Sequence, residues 1–479
     1  MHISIRALLV TSVLYLLIPF CIFLTGWTHP LIALFFLLFL VYTIAKNIKK
    51  VTGSIFISKK TLIVSGIVLF IWTLLSGTGH RGLQDGDAFK HSAILSDLIS
   101  FDWPVTYKLV ETNKFVYLVY YFAYYLPSAV IGKWLGWKAA NIALFAWTYL
   151  GIAIAYTWLL SVVKEKTQLW MSLLFPFFSG LDLIGRLMMW KRVSGYADWE
   201  WWGIIWQYSG NTTLFFYVPQ HVIAGWICIG ILAFSFLKDK KLPFQDLLFV
   251  STLLWSPFVF IGLAPFYAWM FIRKKCPIKI TTVALSLLIL AIEILFFLSN
   301  MTLSVRETTA SAWLWQIEKL FGSKILFRLG MFYLLEFGIF AVLLIRAKKR
   351  SSLLFLAFAI LLLIPWYKMG LMNDFAMRAS IPALFVVGIY WLTYLVETKK
   401  GIVMTIVVAL LFLIGCAYPF VLMRSGIVHF SFGPPRFSVV QLDDPKIRRQ
   451  YLGNSNTPFF NLFNPKIVQQ KKGKLTLLK

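Results

Sequence analysis

The sequence predicts an all-α polytopic membrane protein, a bundle of about 11–13 transmembrane helices with further helices lying along the extracytoplasmic interface. Composition is the first reason. Of 479 residues, 59% are hydrophobic, 18% aromatic and only 14% charged, with a mean hydropathy of +0.78. That leaves too little polar surface to cover a water-soluble domain. Patterning is the second reason, because apolar runs of roughly 16 to 25 residues recur along the chain and an α-helix needs about 20 to cross a hydrocarbon core about 30 Å thick. The alternating pattern of a transmembrane β-barrel does not appear.

Taken in order, the runs place helices over residues 7–25, 30–45, 61–76, 139–163, 169–188, 219–237, 281–299, 326–346, 351–366, 380–397 and 402–421. The first, with Arg6 ahead of it and no small-residue cleavage site, reads as a retained helix rather than a signal peptide. Residues 247–272 exceed one span and are interrupted by Pro257 and Pro265, which predicts a short hairpin or re-entrant pair. The net charge of +27 sits in short clusters between apolar runs, a distribution that excludes a nucleic-acid binder and suits membrane anchors facing anionic headgroups. With the N-terminus cytoplasmic, the basic loops at 46–60, 164–166, 238–241, 273–279, 346–350 and 399–400 all fall on the cytoplasmic side of the cell membrane. The outer side then receives loops 77–138, 189–218, 300–325 and 367–379, and a basic tail, 424–479, that follows a membrane domain over 1–423. Cys21, Cys228, Cys276 and Cys416 show no CxxC or Cys/His spacing, so neither a disulfide framework nor a zinc site is expected. No P-loop string is present, so no nucleotide is expected either.

The first outer loop gathers Asp85, Asp87, Asp97 and Asp102 in a chain otherwise poor in acids. Ala88, Leu95, Leu98 and Ile99 recur with helical spacing and predict an amphipathic helix in the outer interface. Asp87 is its expected N-cap, with Asp85 on the glycine-flexed turn before it and His91 one turn on. Two carboxylates and an imidazole so placed suit a general base or a divalent cation, Mg2+ or Mn2+, while a helix cap with a solvated acidic turn is the structural reading of the same residues. The tyrosine-rich run 115–136 is expected to lie along the outer leaflet, because a span there would turn every later basic loop outward.

Farther on, Glu200 stands among Trp199, Trp201 and Trp202, side chains that suit either interfacial anchoring or stacking on a sugar ring. Pro219, Gln220 and His221 open a helix from the outer side, where free N–H groups and the positive dipole end would meet a phosphate. Asp182 and Arg186, one turn apart inside a span, are expected to pair. In the later outer loops, Arg378, close to Asn373 and Asp374, is a candidate phosphate ligand, and Arg306 a snorkelling side chain.

The acidic first outer loop with Asp85 and Asp87, the YYLP stretch ending at Pro127 and the small-residue turn from Gly132 to Gly136 resemble the start of the GT-C superfamily of integral membrane glycosyltransferases, over roughly residues 61–240. The resemblance implies a GT-C-like bundle, a polyprenyl-phosphate-linked sugar as donor, and a glycan, lipid or protein acceptor on the outer face. It implies that Asp85 or Asp87 acts as general base or metal ligand, with no nucleotide or organic cofactor. His91, Glu200, Gln220, His221 and Arg378 are then the substrate-binding candidates. Two departures restrict the resemblance to the superfamily: Gly86 separates the acids, and the string EWWG at Glu200 is not the WWDYG of oligosaccharyltransferases. The rival readings are a flippase or transporter of a lipid-linked glycan, a glycan polymerase or ligase, and a noncatalytic scaffold. A transporter would need acids and bases near the bilayer midplane and internal repeat symmetry, whereas only Asp182, Arg186 and Glu293 lie deep.

Overall fold

The computed structural model describes the chain apart from residues 110–114, 191–198, 301–310, 323, 371–372, 398–399, 434–435, 437, 443–449, 455, 464–476 and 479; Arg306 lies outside the described residues. Two helices open the chain, α1 (Ile5–Trp27) and α2 (Pro30–Ile48). The Ser4 side chain caps α1 by accepting from the Ala7 N–H, and Pro30, whose fixed φ suits a first turn, starts α2. Strands β1 (His2–Ser4) and β2 (Ser54–Phe56) pair antiparallel, and α3 (Lys59–Leu75) follows with Ser58 as its cap. The long loop after α3 folds as a hairpin of β3 (Ser76–Gly77) and β4 (Arg81–Leu83), then α4 (Gly86–Ser100), then the paired strands β5 (Thr106–Leu109) and β6 (Phe115–Leu118).

The tyrosine-rich run therefore begins as a strand, and only its end is helical. In α5 (Leu126–Val162), Gly136 has φ +83° and divides a juxtamembrane piece from a long apolar one. Next come α6 (Glu165–Leu174), α7 (Asp182–Trp190), α8 (Asn211–Tyr217) and α9 (Pro219–Leu237). Pro257 divides the expected hairpin region into α10 (Gln245–Trp255) and α11 (Pro257–Ile272), with Pro265 kept inside α11, and α12 (Ile280–Phe297) follows. After α13 (Leu314–Phe321), a π-helical turn at Leu334–Gly338 joins α14 (Lys324–Tyr333) to α15 (Ile339–Arg346). The last helices of the membrane part are α16 (Ser352–Leu363), α17 (Asp374–Ala379), α18 (Ile381–Val396) and a pair, α19 (Ile402–Gly415) and α20 (Ala417–Val428), bent by 42°.

Among the described residues seven helices are long and apolar enough to cross a membrane, or eight with the bent pair taken as one span. The protein is thus predominantly helical and compatible with a multi-pass membrane protein. At its centre stands α9, surrounded by α5, α10, α11 and α18. Its apolar window is 89% buried, against 28% for α2, which explains why α9 is apolar on every side. Small residues bring the helices together: a Cβ added to Gly151 of α5 would lie 2.2 Å from the Tyr15 hydroxyl of α1.

Contacts sort the loops into two groups at opposite ends of α1. Near its start, the Met1 amino group donates to the Ile57 carbonyl (2.8 Å), Gln168 to Phe56 (3.0 Å) and Lys279 to the Asn47 side chain (2.6 Å). These are the basic loops expected on one side. Near its end, Trp27 meets Trp103 and Phe122 of the long loop between α3 and α5. The tail joins this second group, since β7 (Phe430–Phe432) pairs with β4, and β8 (Leu452–Asn454) with β6. Asp97 holds it down: one carboxylate oxygen accepts from the Tyr107 hydroxyl (2.6 Å), the Ser438 hydroxyl (2.9 Å) and the Val439 N–H (2.9 Å). The last helix also continues to Val428, past the expected boundary at 423.

Candidate active site

The start of α4 carries the polar centre. Asp85, not Asp87, is the N-cap: its Oδ1 accepts from the N–H groups of Asp87 (3.1 Å) and Ala88 (3.4 Å). The helix begins two residues earlier than the apolar spacing suggests, at Gly86, with Asp85 in extended conformation. Asp87 thereby falls in the first turn, where the macrodipole favours a carboxylate, and pairs with Lys90 at 2.6 Å. Burial pushes the Asp85 carboxyl above the usual carboxylate range and the charge of Asp87 adds to this, while the capping N–H groups and the Tyr217 hydroxyl pull the other way.

His91 is a tie between elements. Its Nε2 donates to the Tyr217 carbonyl at 3.0 Å, so its Nδ1 accepts from the Tyr125 hydroxyl. Burial lowers its proton affinity, which keeps the ring neutral in this arrangement. The imidazole is therefore occupied in fixing α4 against the end of α8, and Asp85 and Asp87 gain a rigid base.

A second group approaches from α17 and α9. Arg378 donates to the Tyr121 hydroxyl (3.1 Å) and pairs with Asp374 (2.8 Å), while its Nε is buried without a partner. Asn373 fixes this turn by donating to the Ile205 carbonyl at 2.6 Å. His221 is fully buried, both ring nitrogens lack partners, and the ring lies 4.9 Å from that of Tyr121. Gln220 beside it is buried with an unpartnered Oε1. Arg378 acts electrostatically on His221, and Asp87 on Arg378, so the two groups form one charged neighbourhood.

Two cavities meet at Asp85. The larger, about 440 Å3, has Asp85, Asp87, Lys90 and Tyr217 on one wall and Tyr418, Val421, Leu422, Ser425 and His429 from the α20 region on the other. The smaller, about 30 Å3, is more enclosed and touches Asp85, His80, His91, Tyr124 and Asn141. The first admits an amphipathic molecule with its polar head against the carboxylates. The second has room for roughly one or two waters.

Several expected roles do not hold. Glu200 is distant in function from this centre: it is buried, and its carboxylate accepts from Gln207 (2.9 Å), the Gly210 N–H (2.9 Å) and Thr213 (2.6 Å). Burial, with the nearby charge of Asp182, pushes its carboxyl up to about 8 against the pull of those donors. Both oxygens of the group are engaged in organising the loop between α7 and α8. Asp182 does not pair with Arg186. It accepts from Ser179 (2.8 Å) and shares the Trp202 indole N–H with Glu336, because the loop folds back over α7. The start of α9 is not an open anion site either, since the Val218 carbonyl already takes the N–H groups of His221 and Val222.

No group of three or more His, Cys, Asp or Glu among the described residues is arranged to hold a metal ion. Asp85 and Asp87 supply two carboxylates, a set that fits Mg2+ or Mn2+ only where substrate phosphate oxygens and waters complete the shell. Lys90 escaped the sequence reading although its partner Asp87 lies only three residues before it; Tyr121, Tyr217 and His80 escaped it because nothing near them in the chain announces neighbours that lie far away in it. No family model, curated protein or solved structure matches the chain.

Proposed function

We propose that the protein is a GT-C-type membrane glycosyltransferase that moves a sugar from a polyprenyl-phosphate carrier to an acceptor hydroxyl at the extracytoplasmic face, modifying a cell-envelope glycan or glycolipid. The observation that carries this reading is the 440 Å3 cavity in which the carboxylates and Lys90 stand beside Leu83 and the α20 side chains Tyr418, Val421 and Leu422, with Ser425 and His429 completing the lining. A sugar linked to a lipid by phosphate has the same division between polar head and apolar chain. In this reading the basic loops and N-terminus are cytoplasmic, the first loop and tail are extracytoplasmic, and the shorter apolar helices α11, α16 and α18 join the seven or eight longer ones to give ten or eleven spans, at the lower end of the 11–13 expected.

Asp85 accepts the proton of the acceptor hydroxyl as the acceptor oxygen bonds to the anomeric carbon. The bond from that carbon to the phosphate oxygen breaks, its electron pair leaves with the phosphate, and a single displacement inverts the anomeric centre. The raised proton affinity of Asp85 makes it a stronger base than an exposed aspartate. Lys90 and Arg378 oppose the charge growing on the phosphate, and His221 and Gln220 line the buried ground beside them. In the alternative role that the resemblance allows, Asp85 and Asp87 would instead hold a divalent cation, which would neutralise charge at the same phosphate, and Asp85 would not then be the base. Incubating the purified protein with a panel of labelled polyprenyl-phosphate sugars tests the reading: release of polyprenyl phosphate is expected, and intact donors across the panel would overturn it.

A further inference from the structure

At the end of the molecule away from Asp85, α3 and α6 start side by side. Between the two starts lies an open groove of about 530 Å3, whose lining includes Lys60 from α3 and Lys164, Lys166 and Leu169 from around the start of α6. Farther along, the Ser65 hydroxyl of α3 bonds to the Ser172 hydroxyl of α6 at 2.7 Å, so the two helices run in the same direction away from the groove. Gln168 fixes the start of α6 by donating to the Phe56 carbonyl (3.0 Å) and the Leu160 carbonyl (3.1 Å). The groove therefore has a rigid floor.

Lys60, Lys164 and Lys166 all line this groove, and none of the ion pairs among the described residues includes them. Glu165, the acid in the lining, stands in the first turn of α6, where the macrodipole already favours a carboxylate. Past the lysines the surface of the same two helices turns apolar. On α3 the residues Ile63, Ile67, Phe70 and Ile71 follow at i, i+4, i+7 and i+8 and are all exposed, Ile63 to 62%, while Trp170 on α6 is exposed to 50%. The stripe on α3 is about 12 Å long. A soluble phosphate compound would use the lysines and leave this stripe bare, whereas a phospholipid covers both.

We propose that the groove binds one anionic phospholipid of the surrounding membrane, its phosphate held by Lys60, Lys164 and Lys166 and an acyl chain laid along Ile63, Ile67 and Ile71 beside Trp170. Charge selects the headgroup: a zwitterionic lipid would bring a quaternary ammonium to three ammonium groups, and an anionic one brings no such repulsion. The site needs only a bilayer around the protein and is independent of the reaction proposed at Asp85. A lipid bridging the two helix starts braces α3, the helix that leads through β3 and β4 to α4.

Native mass spectrometry of the full-length protein in detergent micelles, titrated with dioleoylphosphatidylglycerol or dioleoylphosphatidylcholine, tests the site. Wild type is expected to retain phosphatidylglycerol in preference. Lys60→Gln and Lys166→Gln should each weaken that binding about fivefold, and the triple variant Lys60→Gln, Lys164→Gln, Lys166→Gln about a hundredfold. The triple variant Lys238→Gln, Lys240→Gln, Lys241→Gln removes the same charge from another basic loop and should bind as the wild type does. All of the groove lysines are exposed, so the variants should melt like the wild type without lipid, and the groove variant should lose the rise in melting temperature that phosphatidylglycerol gives the wild type. Equal losses in the two triple variants, or no loss in the groove variant, overturn the site. Phosphatidylcholine retained as strongly as phosphatidylglycerol overturns the anionic preference. Glycerol 1-phosphate bound as tightly as the lipid overturns the membrane source and assigns the groove to a soluble phosphate compound.

Discussion

Asp85 and Glu200 look alike in the sequence, each an acid in an outer loop, yet the structure gives them opposite duties. Asp85 spends one oxygen on capping α4 and borders two cavities, whereas Glu200 is saturated by Gln207, Gly210 and Thr213. The acids of the first loop stood out because the chain has so few, and an N-cap is a local pattern. The partners of Glu200 lie up to thirteen residues on across irregular chain, and no periodicity announces them. Its carboxyl, raised by burial above its ordinary value to about 8, favours the protonated form in the folded state. Its contribution to stability is therefore full below the ordinary glutamate range and is lost as pH rises through about 8. Melting in detergent should accordingly fall between pH 5 and 8, and Glu200→Gln should flatten that slope; an unaltered slope would assign it elsewhere. For Arg378, replacement by Lys keeps charge but not the forked contact to Tyr121 and Asp374. Turnover should drop by roughly tenfold with the fold retained, consistent with about 1.4 kcal/mol.

The helices themselves were legible from apolar length, and the break at Pro257 from a residue that has no N–H to donate. What sequence could not supply was the long-range pairing of short strands: β4 with β7 and β6 with β8 join segments more than 300 residues apart. The kink at Gly136 lies between these cases. A small-residue turn was visible there, and the structure gives its reason, a φ of +83° that side chains with a Cβ avoid. Nothing lies within 4 Å of a Cβ built at Gly136, so Gly136→Ala should cost only the backbone strain, about 1–3 kcal/mol. A loss of that size in thermal unfolding is the expected result, and a neutral substitution would show that the kink relaxes.

At the scale of the molecule, hydropathy and charge predicted one membrane-embedded body, and the contacts of its loops divide them into two groups at the two ends of α1. The position of the tail could not be read from its own composition, because its many basic residues argue for the inner side while helix parity argues for the outer. Its pairing with β4 and its grip on Asp97 put it with the first loop. In a cysteine-free background, Lys59→Cys and Gln441→Cys should therefore react with an impermeant thiol reagent from opposite sides of sealed vesicles, and labelling from one side would contradict the two-faced arrangement. The most direct measurement of the central claim is sugar transfer from a polyprenyl-phosphate donor by wild type, Asp85→Asn and Asp87→Asn. Asparagine still caps a helix, so Asp85→Asn should melt like the wild type while its turnover falls by about a hundredfold or more, and Asp87→Asn should lose less. Turnover unchanged in a folded Asp85→Asn protein would contradict the account.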